Sequence, residues 1–191
     1  MSSKVHVEKE KPFSAHHMLL GAARAALEDA ESKRPGWFYA ELVAMTMASL
    51  AIEAMSNAIG ERVIENWKDF ESASPIAKLR LICQKLDVPF DERVEPWASV
   101  RSLSKFRNEI AHAKPELVKE TYVWSRAEYE KREKEGPKSK LEKKVTLGNA
   151  RRAVREVRRV KDILCDAVPE DERHGLFSES WTGSATGVPD A

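Results

Sequence analysis

The run LVAMTMASLAIEAMSNAI, Leu42 to Ile59, decides the fold. It lies inside a helix-forming stretch from about Phe38 to Glu65 and is apolar nearly all the way round between Val43 and Ile59, so its helix belongs at the centre of a bundle. A membrane span is the competing reading, but the run is short for one and carries Thr46, Glu53, Asn57 and serines. A buried helix needs partners, and the flanking sequence supplies them. Upstream, a helix from Ser14, whose hydroxyl can cap free backbone N–H groups, runs to about Ser32 and ends at Arg34-Pro35-Gly36. Downstream, Ser74-Pro75 heads a helix with Ile76, Leu79, Ile82, Cys83 and Leu86 at helical spacing, stopped by Val88-Pro89-Phe90.

A fourth helix starts near Pro96 and ends before Lys114-Pro115, because a residue preceding proline avoids the α region. Residues 116–147 are highly charged, with Gly136-Pro137 in the middle, and read as an exposed insertion with a short helix around Arg126 to Glu135. A fifth long helix runs from about Leu147 to Val168, with Ala150, Val154, Val157 and Leu164 on one side. No strand-like alternation persists beyond a few residues. The expected fold is therefore an all-α bundle of about five helices, with the insertion before the last long one. Its domain spans residues 14–172, between an N-terminal extension (1–13) and a tail (173–191) rich in Gly, Ser, Thr and Pro that is expected to be disordered.

Composition narrows the function classes. Thirty-two Lys and Arg residues balance 31 Asp and Glu, for a net charge of +1, which excludes a polybasic nucleic-acid coat but leaves room for a local basic patch. The two cysteines, Cys83 and Cys165, lack CxxC spacing and sit in apolar helical stretches, as reduced buried thiols do. The opening MSSKVHVEKEKP has no apolar core of a secretory signal, so a cytoplasmic protein without membrane attachment is expected.

Chemistry concentrates on the fourth helix. Val100, Leu103, Phe106, Ile110 and Ala113 share one side and pack inward. Arg101, Lys105, Asn108 and His112 fall within about 60° of one another on a different side. Arg107 lies at the border, where its stem can cross apolar surface and deliver the guanidinium to the polar side. His112 stands in the last turn before Pro115, where the helix dipole favours positive charge. An imidazole there can donate or accept a proton, and an arginine beside it can hold a phosphate. The bland alternative is that Asn108 and His112 only satisfy the helix end and solvent.

The stretch LSKFRNEIAHAKP, Leu103 to Pro115, resembles the RNxxxH signature of HEPN domains. The likeness extends to the apolar second helix with its embedded glutamate (SLAIEAMSNAI), to PIAKLRLICQKL and to VREVRRVKDIL, in the family's helix order over roughly residues 14–168. The resemblance implies a metal-independent endoribonuclease, of a kind common in toxin and antiviral systems, with Arg107, Asn108 and His112 as its catalytic site and no cofactor. His112 would move protons, Arg107 would bind the scissile phosphate and Asn108 would orient either group. It also implies a homodimer, since one motif supplies a single imidazole where both a base and an acid are wanted, and an antitoxin or a nucleotidyltransferase as partner. The rival is a non-catalytic dimerisation or RNA-binding module that keeps the motif residues as a structural network, or a regulatory subunit of a nucleotidyltransferase.

Further candidates have weaker signals. Glu53, in the most apolar helix, needs a cation, and Arg107 is the candidate partner; an auxiliary catalytic carboxylate and a structural ion pair both fit it. Arg151, Arg155 and Arg158, in the arginine-dense last helix, could contact RNA phosphates along with Arg101 and Lys105, or could form a solvated face paired with acidic residues. Trp124 with Tyr122 and Tyr129 could stack on bases or anchor the insertion. His16 and His17 are adjacent, hence not on one helix face, and no metal site is expected.

Overall fold

The computed structural model describes residues 5–177 and 180–187. Among them six α-helices form: α1 (Ala15–Glu31), α2 (Trp37–Val63), α3 (Pro75–Lys85), α4 (Trp97–Ala111), α5 (Arg126–Arg132) and α6 (Leu147–Ala167). Their boundaries follow from local chemistry. The Ser74 hydroxyl accepts the Ala77 N–H at 3.3 Å, with Pro75 behind it as the first helical residue. Glu95 caps α4 by accepting the Ser99 N–H (3.1 Å) and the Ser99 hydroxyl (2.8 Å). Ser125 and Glu128 form a reciprocal capping box on α5, and Thr146 accepts the Asn149 N–H at 3.2 Å to head α6. Gly36, at φ +94°, supplies the left-handed residue on which the chain reverses into α2.

Helix α2 is the axis of the bundle, packed against α1, α3, α4 and α6. Its alanines (Ala44, Ala48, Ala51) admit close neighbours, and Ile52, Met55 and Ile59 fill the space between them. The apolar residues that α1 brings fully inside are only Ala23 and Ala30, whereas α3, α4 and α6 bring larger ones such as Leu79, Phe106 and Leu164. Among the described residues α2 is the one helix long and apolar enough to cross a membrane, with a mean hydropathy of 1.5, and half of that apolar window is buried in the bundle. Cys83 is buried and its thiol is pushed up to about 12 by that burial, whereas Cys165, expected to be buried, is only half-buried.

The two ends of the chain differ from the sequence expectation. Val5–Glu10 (β1) pairs antiparallel with Thr182–Gly187 (β2), in a register that sets Val5 opposite Gly187 and Glu10 opposite Thr182. The segment expected as a disordered tail therefore supplies a strand; its residues 178–179 and 188–191 lie outside the described ones. TGSATG carries no apolar alternation, so only a partner at the far end of the chain could reveal this pairing, and every residue of the ribbon is exposed. Ser14 occupies the cap position of α1 without capping it. Its hydroxyl donates instead to the Gly175 carbonyl at 3.2 Å. The Leu176 carbonyl lies 2.9 Å from His17 Nε2, so the last turns of chain clasp the start of α1. His16 is buried under this clasp with neither ring nitrogen in a full hydrogen bond.

Two outcomes follow from this packing. Burial pushes the His16 imidazole from 6.5 down to about 4; the charges of His17 and Lys161 push the same way, and the Leu176 carbonyl opposes them weakly. Between those two values the unfolded chain binds a proton that the folded chain refuses, so stability falls as the pH drops through that window. Denaturant titrations of the native chain and of His16→Phe, run from pH 7 to pH 4, should diverge by up to about 3 kcal/mol, the native chain losing more; parallel curves would overturn the assignment. Separately, a Cβ on Gly60 would stand 2.4 Å from the buried Trp67 indole. Gly60→Ala should lower stability by about 2 kcal/mol through overpacking, despite alanine's advantage of about 1 kcal/mol in a helix, which thermal melting would register.

Candidate functional site

The site is built on α4 and the middle of α2. Val100, Leu103 and Phe106 bury one side of α4, and the Ser49 hydroxyl of α2 donates to the Leu103 carbonyl at 3.3 Å, fixing the two helices in register. Arg107 then lies at the edge of the interface and meets Glu53 in an ion pair through Nη2 and Oε2. Both side chains are about 30% exposed, at 30% and 29%, so water wets the pair without flooding it. The same guanidinium donates through Nη1 to the Asn108 Oδ1 at 3.0 Å. Glu53, Arg107 and Asn108 thus form one connected chain across α2 and α4. The cation expected for Glu53 is the one that the structure provides.

α4 ends at Ala111, and His112 caps it, its N–H donating to the Asn108 carbonyl at 3.0 Å. His112 is exposed, its backbone about 7.5 Å of helical rise beyond that of Arg107. A guanidinium has five N–H donors; Glu53 and Asn108 take two, leaving three that an anion could use.

The remaining candidates separate into different surroundings. Arg101 turns toward the loop between α3 and α4, pairing with Glu92 at 3.4 Å, and Glu92 is also held by Arg80 of α3. Lys105 lines a cleft of about 430 Å³ between α4 and the head of α6, along with Ser102, Glu109, Asn149 and Arg152. None of Arg107, Asn108 and His112 lines that cleft. Arg151, Arg155 and Arg158 face away from it, in a groove between α6 and α1. Arg151 pairs with Glu31 at 2.7 Å and Arg155 with Glu156 at 2.6 Å, while Arg158 makes no ion pair among the described residues. The five residues expected to hold RNA therefore occupy three separate surfaces.

Sequence reasoning missed Arg24, which shares the α1–α6 groove with Lys161 of the basic last helix. Helical spacing places each on a face, but nothing in the sequence says that α1 runs antiparallel along α6. It also missed the tie between Lys144 and Glu109, which holds the end of the insertion to α4. In the insertion, Tyr122 and Trp124 stack on each other with centroids 4.6 Å apart, and Arg126 sits 5.9 Å over Tyr129. These rings already have partners of their own.

Compared with protein-family models, with curated proteins and with solved structures, the chain matches none.

The Glu53–Arg107 pair is open to direct measurement. A double-mutant cycle over Glu53→Gln and Arg107→Gln should return a coupling of about 1–2 kcal/mol in unfolding free energy, between the exposed and buried limits for ion pairs. Additive losses would show that the two groups are merely adjacent.

Proposed function

We propose that this chain is a metal-independent endoribonuclease of the HEPN type, acting in the cytoplasm as a homodimer in a toxin-like or antiviral defence system. The observation that carries the reading is the Arg107 guanidinium, held by Glu53 and Asn108 on the helix that ends in the exposed His112. RNA brings its own nucleophile, so the protein has to position it, move two protons and stabilise charge on phosphorus. The 2′-oxygen attacks the adjacent phosphorus and a base takes its proton. The P–O5′ bond breaks, an acid protonates the leaving oxygen, and the products are a 2′,3′-cyclic phosphate and a 5′-hydroxyl. The unspent N–H donors of Arg107 suit the phosphate oxygens, whose charge grows in the transition state. His112 serves as one proton-transfer group, and Asn108 keeps the guanidinium oriented.

The second proton-transfer group is the reason for the dimer. One chain presents one motif imidazole on an open surface, and a second copy facing it would supply both the other imidazole and the wall of a cleft. An antitoxin or a nucleotidyltransferase partner would control access to that cleft.

A second reading has its own support. The pairing that positions Arg107 is also what a structural clamp between α2 and α4 would use, and it fits a non-catalytic dimerisation or RNA-binding module equally well.

The two readings part on one experiment. In EDTA, the full chain should cleave mixed RNA to cyclic-phosphate ends, and His112→Ala or Arg107→Ala should slow it at least about 100-fold. RNA with 2′-deoxy substitution throughout should resist. Light scattering at micromolar concentration should give the molar mass of two chains. Cleavage no faster than that of the His112→Ala chain would move the assignment to the binding module, and a stable monomer would remove the two-imidazole mechanism.

A further inference from the structure

Helices α1 and α6 run side by side in opposite directions, and the groove between them encloses about 640 Å³. Its walls carry Arg24 from α1 and Arg151, Arg155, Arg158 and Lys161 from α6, and no carboxylate lines it. Three of the five cations, Arg24, Arg158 and Lys161, form no ion pair among the described residues, in a chain whose net charge is only +1. Its floor is apolar, formed by Leu20, Leu27 and Val154. At Gly21 the floor is open, since an added Cβ would meet nothing within 4 Å. One end is bounded by the Glu31–Arg151 pair and the other by His17 and the half-buried Phe177 of the C-terminal clasp.

We propose that this groove binds the backbone of single-stranded RNA, as a surface separate from the motif on α4. The proposal rests on RNA being the substrate class. Cations at positions 151, 155, 158 and 161 follow α6 at intervals of three or four residues, one for about every 5 Å of helix, which forms a track for successive phosphates rather than a pocket for one anion. Four of the five cations are arginines, whose planar fork suits phosphate oxygens. A partly exposed phenyl ring at the end of the track offers a face for a base, which a cationic groove for acidic protein does not need. The motif, by contrast, contributes little net attraction, because Glu53 offsets the charge of Arg107. The groove is therefore the seat of affinity and the motif the seat of chemistry.

The test uses the full-length chain carrying His112→Ala, so that the RNA survives, and a fluorescein-labelled 12-nucleotide oligouridylate read by anisotropy. Arg24→Ala/Arg158→Ala/Lys161→Ala should weaken binding at least 10-fold and make the slope of log K against log salt shallower by about 2, as expected for three lost phosphate contacts on a single strand. Gly21→Leu, which fills the floor and leaves every charge in place, should weaken binding about 5-fold or more. Circular dichroism of each variant checks that it is folded. Binding that survives both the triple variant and the Gly21→Leu variant overturns the proposal, as does equal competition by a polyglutamate of matched charge, which would make this a site for acidic protein. The ribonuclease reading fails separately: groove-dependent binding with no cleavage by the native chain leaves the groove standing and removes the enzyme.

Discussion

A carboxylate in the middle of the most apolar helix of a protein cannot be left unmatched, and much of this structure can be understood as the answer to that constraint. Helix α2 is buried on most of its circumference, yet it carries Glu41, Ser49, Glu53 and Asn57. Each meets a different neighbour. Glu53 takes Arg107 of α4, Ser49 donates to the Leu103 carbonyl of the same helix, and Asn57 accepts from Lys78 of α3 at 2.8 Å. Glu41 stands against the Leu147 amide at the head of α6; that contact lowers its pKa, but burial outweighs it and the carboxyl is raised. Apolar packing alone would let three helices slide along α2 at little cost. The polar exceptions set where each one stops.

Seen this way, the Glu53–Arg107 pair has two consequences that are hard to separate. It ties α4 to α2, and it stops the guanidinium from sampling other rotamers. An arginine held by two partners loses less conformational entropy when a phosphate arrives, which is the usual benefit of a supporting contact behind a binding group. The accompanying cost is that the carboxylate offsets its charge. Coulombic attraction for a polyanion is accordingly weak at the motif, where orientation is strong, and it is strong in the α1–α6 groove, where the cations have few acidic partners.

How much of this was legible beforehand depended on whether the signal was local. Helix ends written in punctuation were readable to within a residue or two: Ser74-Pro75 heads α3, Pro96 precedes α4, and α6 starts at Leu147. The central place of α2 followed from its apolar circumference, and the need of Glu53 for a cation followed from its surroundings. Non-local pairings were not readable. The β1–β2 ribbon joins VHVEKE to TGSATG, a segment with no apolar signature, and Ser14 passed over its own helix to reach Gly175. The last helix was readable only as arginine-dense; an amphipathic helix between two neighbours splits its polar residues over two clefts, and Arg152 went one way while Arg151 and Arg155 went the other.

The same logic explains why the candidate site is hard to complete from one chain. Asn108 and His112 lie one turn apart at the end of α4, but a helix surface is convex, and convex surfaces do not enclose a substrate. Ligand sites in helical proteins form where two helices face each other across a gap, and the gaps that α4 borders, at Lys105 and Glu109 and at Arg101, are lined by none of the three motif residues. If Arg107, Asn108 and His112 act on RNA, the opposing wall has to come from another chain. If none comes, the Glu53–Arg107–Asn108 network remains a clamp between helices, and the α1–α6 groove remains a cationic surface apart from it. The oligomeric state therefore decides more about this protein than any further detail of the motif.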